Sequence, residues 1–270
     1  TTYCVMDSPL DGIAFLVRSE NRVCVLRTVA AETATRRELR DGLSMSRTTL
    51  GRVLNESEER GWIRRTGDGY TTTPAADAIL TKFVPLLETM EGIYNLGEAI
   101  EWLPPPARAV ELRHFRDATV TTSTPDNPAA PFDRGLEAIR DADRYRGLTS
   151  TAIPSYVQAL RECLRGGLDF EGIIEASFVA TLRDEPQRVD PWYDFAERET
   201  AWLYDGRVPI NIHLLDDVVL VWLGTHDGDE LEVYGLLESG NPAVLEWAES
   251  LYEEYRAESE LLDTATFSGT

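Results

Sequence analysis

Ser46-Arg47-Thr48-Thr49-Leu50-Gly51-Arg52-Val53-Leu54 is the stretch on which the fold turns. At helical spacing Leu50, Val53 and Leu54 fall on one side, while Arg47, Thr48, Gly51, Arg52 and Asn55 fall on the other. Ser46 is a residue type that opens helices, because its hydroxyl can accept from a free amide of the first turn. Gly61 closes the segment, since glycine reaches the left-handed backbone of a helix end without strain.

Upstream, Thr35 and Glu38 form a capping-box pattern, in which hydroxyl and carboxylate each meet the other residue's amide. The helix they open turns Leu39 and Leu43 inward, and Gly42 to Met45 make a tight turn into the segment at Ser46. Further back, Ser19 is placed to cap a helix from Glu20 to about Ala30, with Val23, Leu26 and Ala30 in register and Val25 and Val29 widening the stripe. Cys24 reads as a small buried filler of that helix. Downstream, Trp62 to Arg65 reads as a strand, Gly67-Asp68-Gly69 as a hairpin tip and Tyr70 to Thr73 as the return strand. Helix, turn, helix, hairpin is the winged helix-turn-helix order, expected over residues 1–73.

Thr73-Pro74 launches a long helical pattern to about Trp102, in which Ile79, Phe83, Leu86, Met90, Ile93 and Ile100 make a coiled-coil-like stripe if Gly97 fills the intervening position. Pro85 predicts a kink or break within it. The stripe suits either dimerisation or burial against the chain's own second domain, so residues 74–105 form a helical connector. Pro104-Pro105-Pro106 predicts a stiff boundary.

Residues 106–263 read as an α/β domain. Thr119 to Thr124, Phe132 to Asp141, Tyr145 to Thr149, Ser155 to Leu164 and Leu168 to Ile174 alternate between strand and helix character, which predicts a mainly parallel sheet. Runs at Ala201 to Tyr204, Ile210 to Leu214, Val218 to Leu223 and Leu231 to Leu237 add antiparallel strands and make the sheet mixed. A helix from Pro242 to about Ser259 closes the domain, and residues 264–270 read as a frayed tail.

The charge is unusual. Of 270 residues 47 are acidic and 26 basic, a net charge of −21, and Lys82 is the sole lysine. Such an acidic, lysine-poor surface resembles that of proteins from halophilic archaea, where screening shortens electrostatic reach to about 3 Å at 1 M salt. Against this background Thr35 to Arg65 hold eight arginines and five acids. That local reversal of sign is what a nucleic-acid footprint needs. Residues 1–105 net −3 and the remainder −18, so the second half is not expected to bind DNA.

The outward residues suit a duplex groove. Arginine can pair two donors with guanine, asparagine can pair with adenine, and threonine can touch a phosphate or a thymine methyl. The expected DNA-binding set on this segment is Ser46, Arg47, Thr48, Thr49, Gly51, Arg52 and Asn55, with Gly51 permitting close approach. Arg36, Arg37 and Arg40 on the preceding helix, and Arg64, Arg65 and Tyr70 on the hairpin, are expected to hold phosphates.

The stretches Ser19 to Val23, Arg36 to Leu39, Ser46 to Arg52 and Glu58 to Trp62 resemble the haloarchaeal winged-helix regulators described as ArsR-like. The C-terminal half resembles the regulatory domain of archaeal methanogenesis and filamentation regulators. The resemblance implies a homodimeric transcription regulator whose second domain senses an effector. The cysteine pairs of metal-sensing ArsR proteins are absent, so neither a metal nor a cofactor is implied.

An α/β sheet offers a crevice at its strand ends, which makes Thr149, Ser150, Glu175, Asp205, His213 and Asp216 candidates for effector contacts. No catalysis is expected. Domains of this kind are similar to phospholipase D, whose chemistry needs HxK pairs, yet Lys82 lies outside the domain and His114, His213 and His226 have no such partner. GxSxG, Walker A and GxGxxG patterns are missing too, and Gly166-Gly167 fits a helix end. Cys4, Cys24 and Cys163 make no framework, although Cys4 or Cys163 could sense redox state. No apolar run approaches a membrane span, and no signal segment opens the chain, so a cytoplasmic protein is expected. The expected function is a DNA-binding regulator acting on double-stranded DNA. Two alternatives stand beside it: an interaction adaptor using both domains as docking modules, and a hydrolase fused to a DNA reader.

Overall fold

In the computed structural model residues 8–182, 186–227 and 230–267 are described. The chain divides into two compact units, Thr1–Leu87 and Glu88–Thr270.

The first unit begins with a helix not anticipated from the sequence, α1 (Pro9–Val17). Its start is nonetheless written locally: Pro9 occupies the first turn, the Ser8 amide donates to Asp11 Oδ2 at 3.0 Å, and the Asp11 amide donates to Ser8 Oγ at 3.3 Å. Helix α2 (Glu20–Ala31) buries Val23, Val25, Leu26 and Val29. Cys24 is exposed rather than buried, because its place on the helical wheel is opposite those four residues. Ala30 is exposed as well, and Ser19 makes no side-chain cap. Helix α3 (Arg36–Gly42) carries the expected reciprocal cap, with the Thr35 amide donating to Glu38 Oε2 at 2.8 Å and the Glu38 amide donating to Thr35 Oγ1 at 3.3 Å. A turn through Ser44 (φ 50°) leads to α4 (Arg47–Glu59), whose Leu50, Val53 and Leu54 are buried. The Thr49 amide donates to Ser46 Oγ at 3.1 Å, and Gly61 adopts φ +68° just past the helix end.

Strands β1 (Ile63–Thr66) and β2 (Gly69–Thr72) form an antiparallel hairpin. Ala34, between α2 and α3, pairs with Tyr70 through two backbone hydrogen bonds of 3.2 and 2.9 Å, a third element of this sheet that the sequence reading lacked. Gly69, at φ +141°, is required there, since a Cβ would run into the Ala34 backbone. Helix α5 (Pro74–Leu96) starts at Thr73, whose hydroxyl accepts from the Ala76 amide at 3.4 Å and donates to the Gly61 carbonyl at 2.7 Å. The helix runs through Pro85 without a break. It ends earlier than expected: Gly97 at φ +53° leads into a 3-10 segment, Gly97–Trp102.

In the second unit the three prolines are no boundary. Leu96, Ala99, Leu103, Ala107, Val110 and Phe115 share one buried core, and Pro105–Ala109 form a 3-10 turn inside it. Asn95 Nδ2 anchors this segment by donating to the carbonyls of Phe115 and Ala118 at 2.9 and 2.7 Å. The chain then continues as β3 (Thr119–Thr122), α6 (Ala130–Asp141), β4 (Arg144–Thr149), α7 (Pro154–Gly166), β5 (Asp169–Glu175), α8 (Ala176–Leu182), α9 (Pro186–Glu197), β6 (Ala201–Tyr204), β7 (Ile212–Leu215), β8 (Val218–Asp227), β9 (Glu230–Ser239), α10 (Pro242–Ala257) and β10 (Glu260–Leu261). Helices α8 and α9 were not anticipated. Gly167, at φ +108°, terminates α7 as its sequence position suggested.

The sheet is mixed, in the order β10-β6-β5-β4-β7-β8-β9-β3. Among the described residues the parallel pairings are β4 with β5 and β5 with β6, and the rest are antiparallel. The expectation of a mainly parallel sheet is thus overturned. The antiparallel run β7-β8-β9 takes the place beside β4, and β3 joins the far edge against β9. Apolar side chains cover both faces, with Tyr145, Phe170 and Trp222 in one core and Leu148, Ile173 and Val221 in the other. Thr264–Phe267 form a 3-10 turn with Phe267 buried against the Tyr193 ring at 5.5 Å, so the tail is anchored at least that far.

Candidate functional site

The outer side of α4 is built by its own amphipathic pattern. Leu50, Val53 and Leu54 pin the helix to the core, which leaves Arg47, Thr48, Arg52 and Asn55 exposed. Arg47, Arg52 and Arg64 make no ion pair or hydrogen bond among the described residues. Ser46 and Thr49 are occupied locally, their hydroxyls 2.9 Å apart within the helix cap.

Two residues of the expected set are placed otherwise. Gly51 does not face outward: it is buried, and a Cβ there would collide with the Arg36 guanidinium that lies across it. Tyr70 is 4% exposed, with its ring in the core, and its hydroxyl accepts from Arg65 Nη2 at 2.6 Å. The hydrogen bond to Tyr70 pushes the Arg65 pKa above its ordinary value. The remaining arginines differ in freedom. Arg37 is 85% exposed and 3.7 Å from Asp41, whereas Arg40 is tied to the same carboxylate at 2.7 Å.

Arg60, counted in the basic stretch, packs over the Phe15 ring at 4.6 Å, with Arg22 over the same ring at 4.1 Å. Arg22 also donates to the Phe15 carbonyl at 2.8 Å and pairs with Glu56 at 2.7 Å. These two cations hold α1 in place, while the Trp62 ring meets Phe15 edge-on at 5.3 Å. Their neighbour in sequence offered no hint of this, because α1 was not recognised. Helix α1 also leaves Leu10, Ile13 and Val17 exposed along one side, and α5 leaves Leu86 and Tyr94 largely exposed.

Residues 1–87 contain twelve basic and eleven acidic residues, and residues 88–270 contain fourteen and thirty-six. The first unit therefore stands near neutrality and the second near −22.

The six sequence-based candidates in the second unit do not form one cluster. Thr149 and His213 line a cavity of about 240 Å³ on the face carrying α6, α7 and α9. Ser150 sits beside it, its amide and hydroxyl donating to Asn211 Oδ1 at 2.6 and 3.1 Å. Glu175 instead holds the loop before β7, accepting from the Val208 amide at 2.8 Å and from Ser177 Oγ at 2.5 Å. Asp216, at φ +47°, accepts from the amides of Asp143 and Arg144 at 3.2 and 2.9 Å, and Asp205 is exposed in a turn. The aromatic lining of the cavity was missed by the sequence reading. Its signal was present in Tyr145-x-Gly147 and Phe170-x-Gly172, where an aromatic precedes a strand glycine by two residues.

His213 is 4% exposed, and burial pushes its pKa down to about 3, so the ring is neutral. Burial pushes the Cys163 thiol up, opposite to the shift a reactive thiolate needs, while Cys4 lies outside the described residues. Among the described residues no group of three or more His, Cys, Asp or Glu side chains could hold a metal ion. Among them, too, no helix is long and apolar enough to cross a membrane.

No curated protein matches the chain. Among solved structures, the archaeal chromatin protein TrmBL2, described as having a novel mode of DNA binding, is similar over 93% of this chain and 99% of its own, with 12% identity and a TM-score of 0.42. Nuc of Salmonella typhimurium, a phospholipase D family member, is similar over 54% of this chain and 99% of its own, with 14% identity and a TM-score of 0.42. NucT of Helicobacter pylori covers 54% of this chain and 98% of its own, with 12% identity and a TM-score of 0.39. Family models match two separate segments: residues 10–93 match the HVO_A0261 N-terminal domain, and residues 128–258 match the middle domain of the methanogenesis regulatory protein FilR1, so over both segments the chain is similar to archaeal transcription regulators.

Proposed function

We propose that the chain is a sequence-specific, DNA-binding transcription regulator whose first unit is a winged helix-turn-helix of ArsR-like type. The observation that carries this reading is the exposed face of α4, where Arg47, Thr48, Arg52 and Asn55 stand free while Leu50, Val53 and Leu54 pack inward. A near-neutral unit in a strongly acidic chain supports it, since a uniformly acidic surface would repel a duplex. The match of residues 128–258 to a regulatory protein's domain supports a regulatory role. In this reading α4 lies in the major groove, Arg47 and Arg52 read bases, and Arg36, Arg37 and Arg64 hold phosphates.

The finer features belong to the same proposal. The protein acts as a homodimer, supported by the largely exposed apolar side chains of Leu86 and Tyr94 on α5. It works in the salty cytoplasm of a halophilic archaeon, as its acidic, lysine-poor composition suggests, senses an effector through the second unit, and catalyses no reaction.

Mapping bound genomic fragments at several KCl concentrations, followed by affinity measurements on a selected site and on random DNA, tests the reading. Arg52→Ala is expected to cost about 1–3 kcal/mol on the selected site and little on random DNA. Arg64→Ala is expected to weaken both alike and to lower the salt slope by about one. A dimer should protect two half-sites about 10 bp apart. Equal losses from both variants on both DNAs would refute the assignment of roles, and salt-independent or absent binding would favour the adaptor.

A further inference from the structure

The cavity on the α6-α7-α9 face is lined mainly by aromatic and aliphatic side chains, and His213, which also lines it, keeps a buried ring nitrogen without a partner. His213 Nδ1 is buried and has no hydrogen bond among the described residues. The His213 ring sits among Tyr145 at 5.3 Å, Trp222 at 6.0 Å and Tyr156 at 6.1 Å, all cavity-lining residues. A buried nitrogen with no partner is costly, at about 1–3 kcal/mol, and most such groups in folded proteins are satisfied. Two other polar groups nearby are engaged: Tyr156 donates to the Phe132 carbonyl at 2.7 Å, and Asn211 Oδ1 takes both donors of Ser150.

The shape comes from two glycines that pair across β4 and β5, Gly147 with Gly172. A Cβ at Gly147 would collide with the Tyr145 side chain and one at Gly172 would crowd the Phe170 ring, so the glycines let both rings lie along the sheet, stacked at 5.1 Å with planes 11° apart. Strand interiors disfavour glycine, and a pair of them aligned under two rings forms a flat aromatic floor. The lining reaches the surface past the carboxyl end of β4, where Thr151 and Ile153 are exposed and Ala152 is half-buried. In α/β sheets that end is where ligands enter. A cavity of about 240 Å³ exceeds the roughly 150 Å³ void that accommodates benzene in an engineered protein core. Among the described residues no charged side chain lines it, so an ion would lose its hydration without compensation.

We propose that this cavity is a binding site for a small, uncharged aromatic molecule of one or two rings carrying a hydroxyl group, with that hydroxyl hydrogen-bonded to the His213 imidazole. A hydroxyl both donates and accepts, so it satisfies either tautomer of a neutral imidazole. The aromatic walls offer offset and edge contacts to a planar ligand. The site goes beyond the regulator reading and does not depend on it.

The test uses the full chain without DNA and two probes of equal size, phenol and toluene, titrated by ligand-observed NMR with the ring nitrogens of His213 followed in parallel. Phenol is expected to bind about three- to tenfold more tightly than toluene and to move the His213 ring-nitrogen resonances. His213→Leu should erase that preference while leaving toluene bound, and Ala152→Trp, at the half-buried mouth, should weaken both probes. The proposal is overturned if neither probe binds saturably, if phenol has no advantage over toluene, or if phenol binds both variants as it binds the parent chain. Should His213→Leu fail to fold, weakening of both probes by Ala152→Trp, at a half-buried position, still locates the site, and a shift of the His213 ring-nitrogen resonances with phenol but not with toluene still reads the hydrogen bond.

Discussion

Replacing Gly51 by alanine separates two physical accounts of α4. If the glycine were there to admit the duplex backbone, a methyl group would hinder binding. In the structure Gly51 is buried under the Arg36 guanidinium, so the added methyl meets a flexible side chain of its own unit. Alanine is favoured over glycine in a helix interior by about 0.8–1 kcal/mol. Against this stands the displacement of Arg36, which is exposed and makes no ion pair among the described residues, so that it can move to another staggered rotamer at little cost. The net is a gain of up to about 1 kcal/mol, or up to about 8 °C in the midpoint of a domain of this size. Urea titration with hydrogen exchange read on the α4 peptide would measure it, and DNA affinity should change at most a few-fold and equally for all sequences, through Arg36 alone. Destabilisation by more than 1 kcal/mol would refute the reasoning, because it would mean that Arg36 cannot move. A loss confined to the selected DNA site would refute it equally, because the duplex would then need the bare glycine.

Two further outcomes follow from the same geometry. Phe15→Ala removes a ring that is 3% exposed and flanked by Arg22 and Arg60, and it should cost about 3–5 kcal/mol in urea unfolding of the first unit, while a cost under 1 kcal/mol would mean α1 is not part of its core. His213 has a folded pKa of about 3, below its ordinary 6.5, so the unfolded chain binds a proton that the folded chain refuses. Its contribution to stability is intact above pH 6.5 and is lost as pH falls toward 3, with a slope of up to about 1.4 kcal/mol per pH unit. The His213→Leu variant should therefore show a shallower loss between pH 6.5 and 5, and an unchanged slope would indicate that the ring is protonated or solvated in the folded state.

Where a structural feature is decided by a few neighbours in sequence, it was legible. The Thr35 cap, the Ser46 cap, the turn between α3 and α4, the β1-β2 hairpin and the end of α7 at Gly167 all rest on local hydrogen bonds or on a single backbone angle. The alternation of β3, α6, β4, α7 and β5 was readable for the same reason, since each element carries its own hydrophobic period. Helix α1 was written just as locally, in Ser8-Pro9-Leu10-Asp11, and was passed over.

What the sequence by itself determined is therefore the set of elements and which side of each is apolar, because propensity, capping and periodicity act over one or two turns of chain. Only the tertiary structure decided which elements meet. It placed β3 at the far edge of the sheet, drew Leu103 and Ala107 on either side of the prolines into the second core, turned Arg60 onto Phe15 and Arg36 onto Gly51, and gathered Tyr145, Phe170, His213 and Trp222 around one cavity. These are long-range choices, made by how much apolar surface each arrangement removes from water, and no local pattern along the chain encodes that sum.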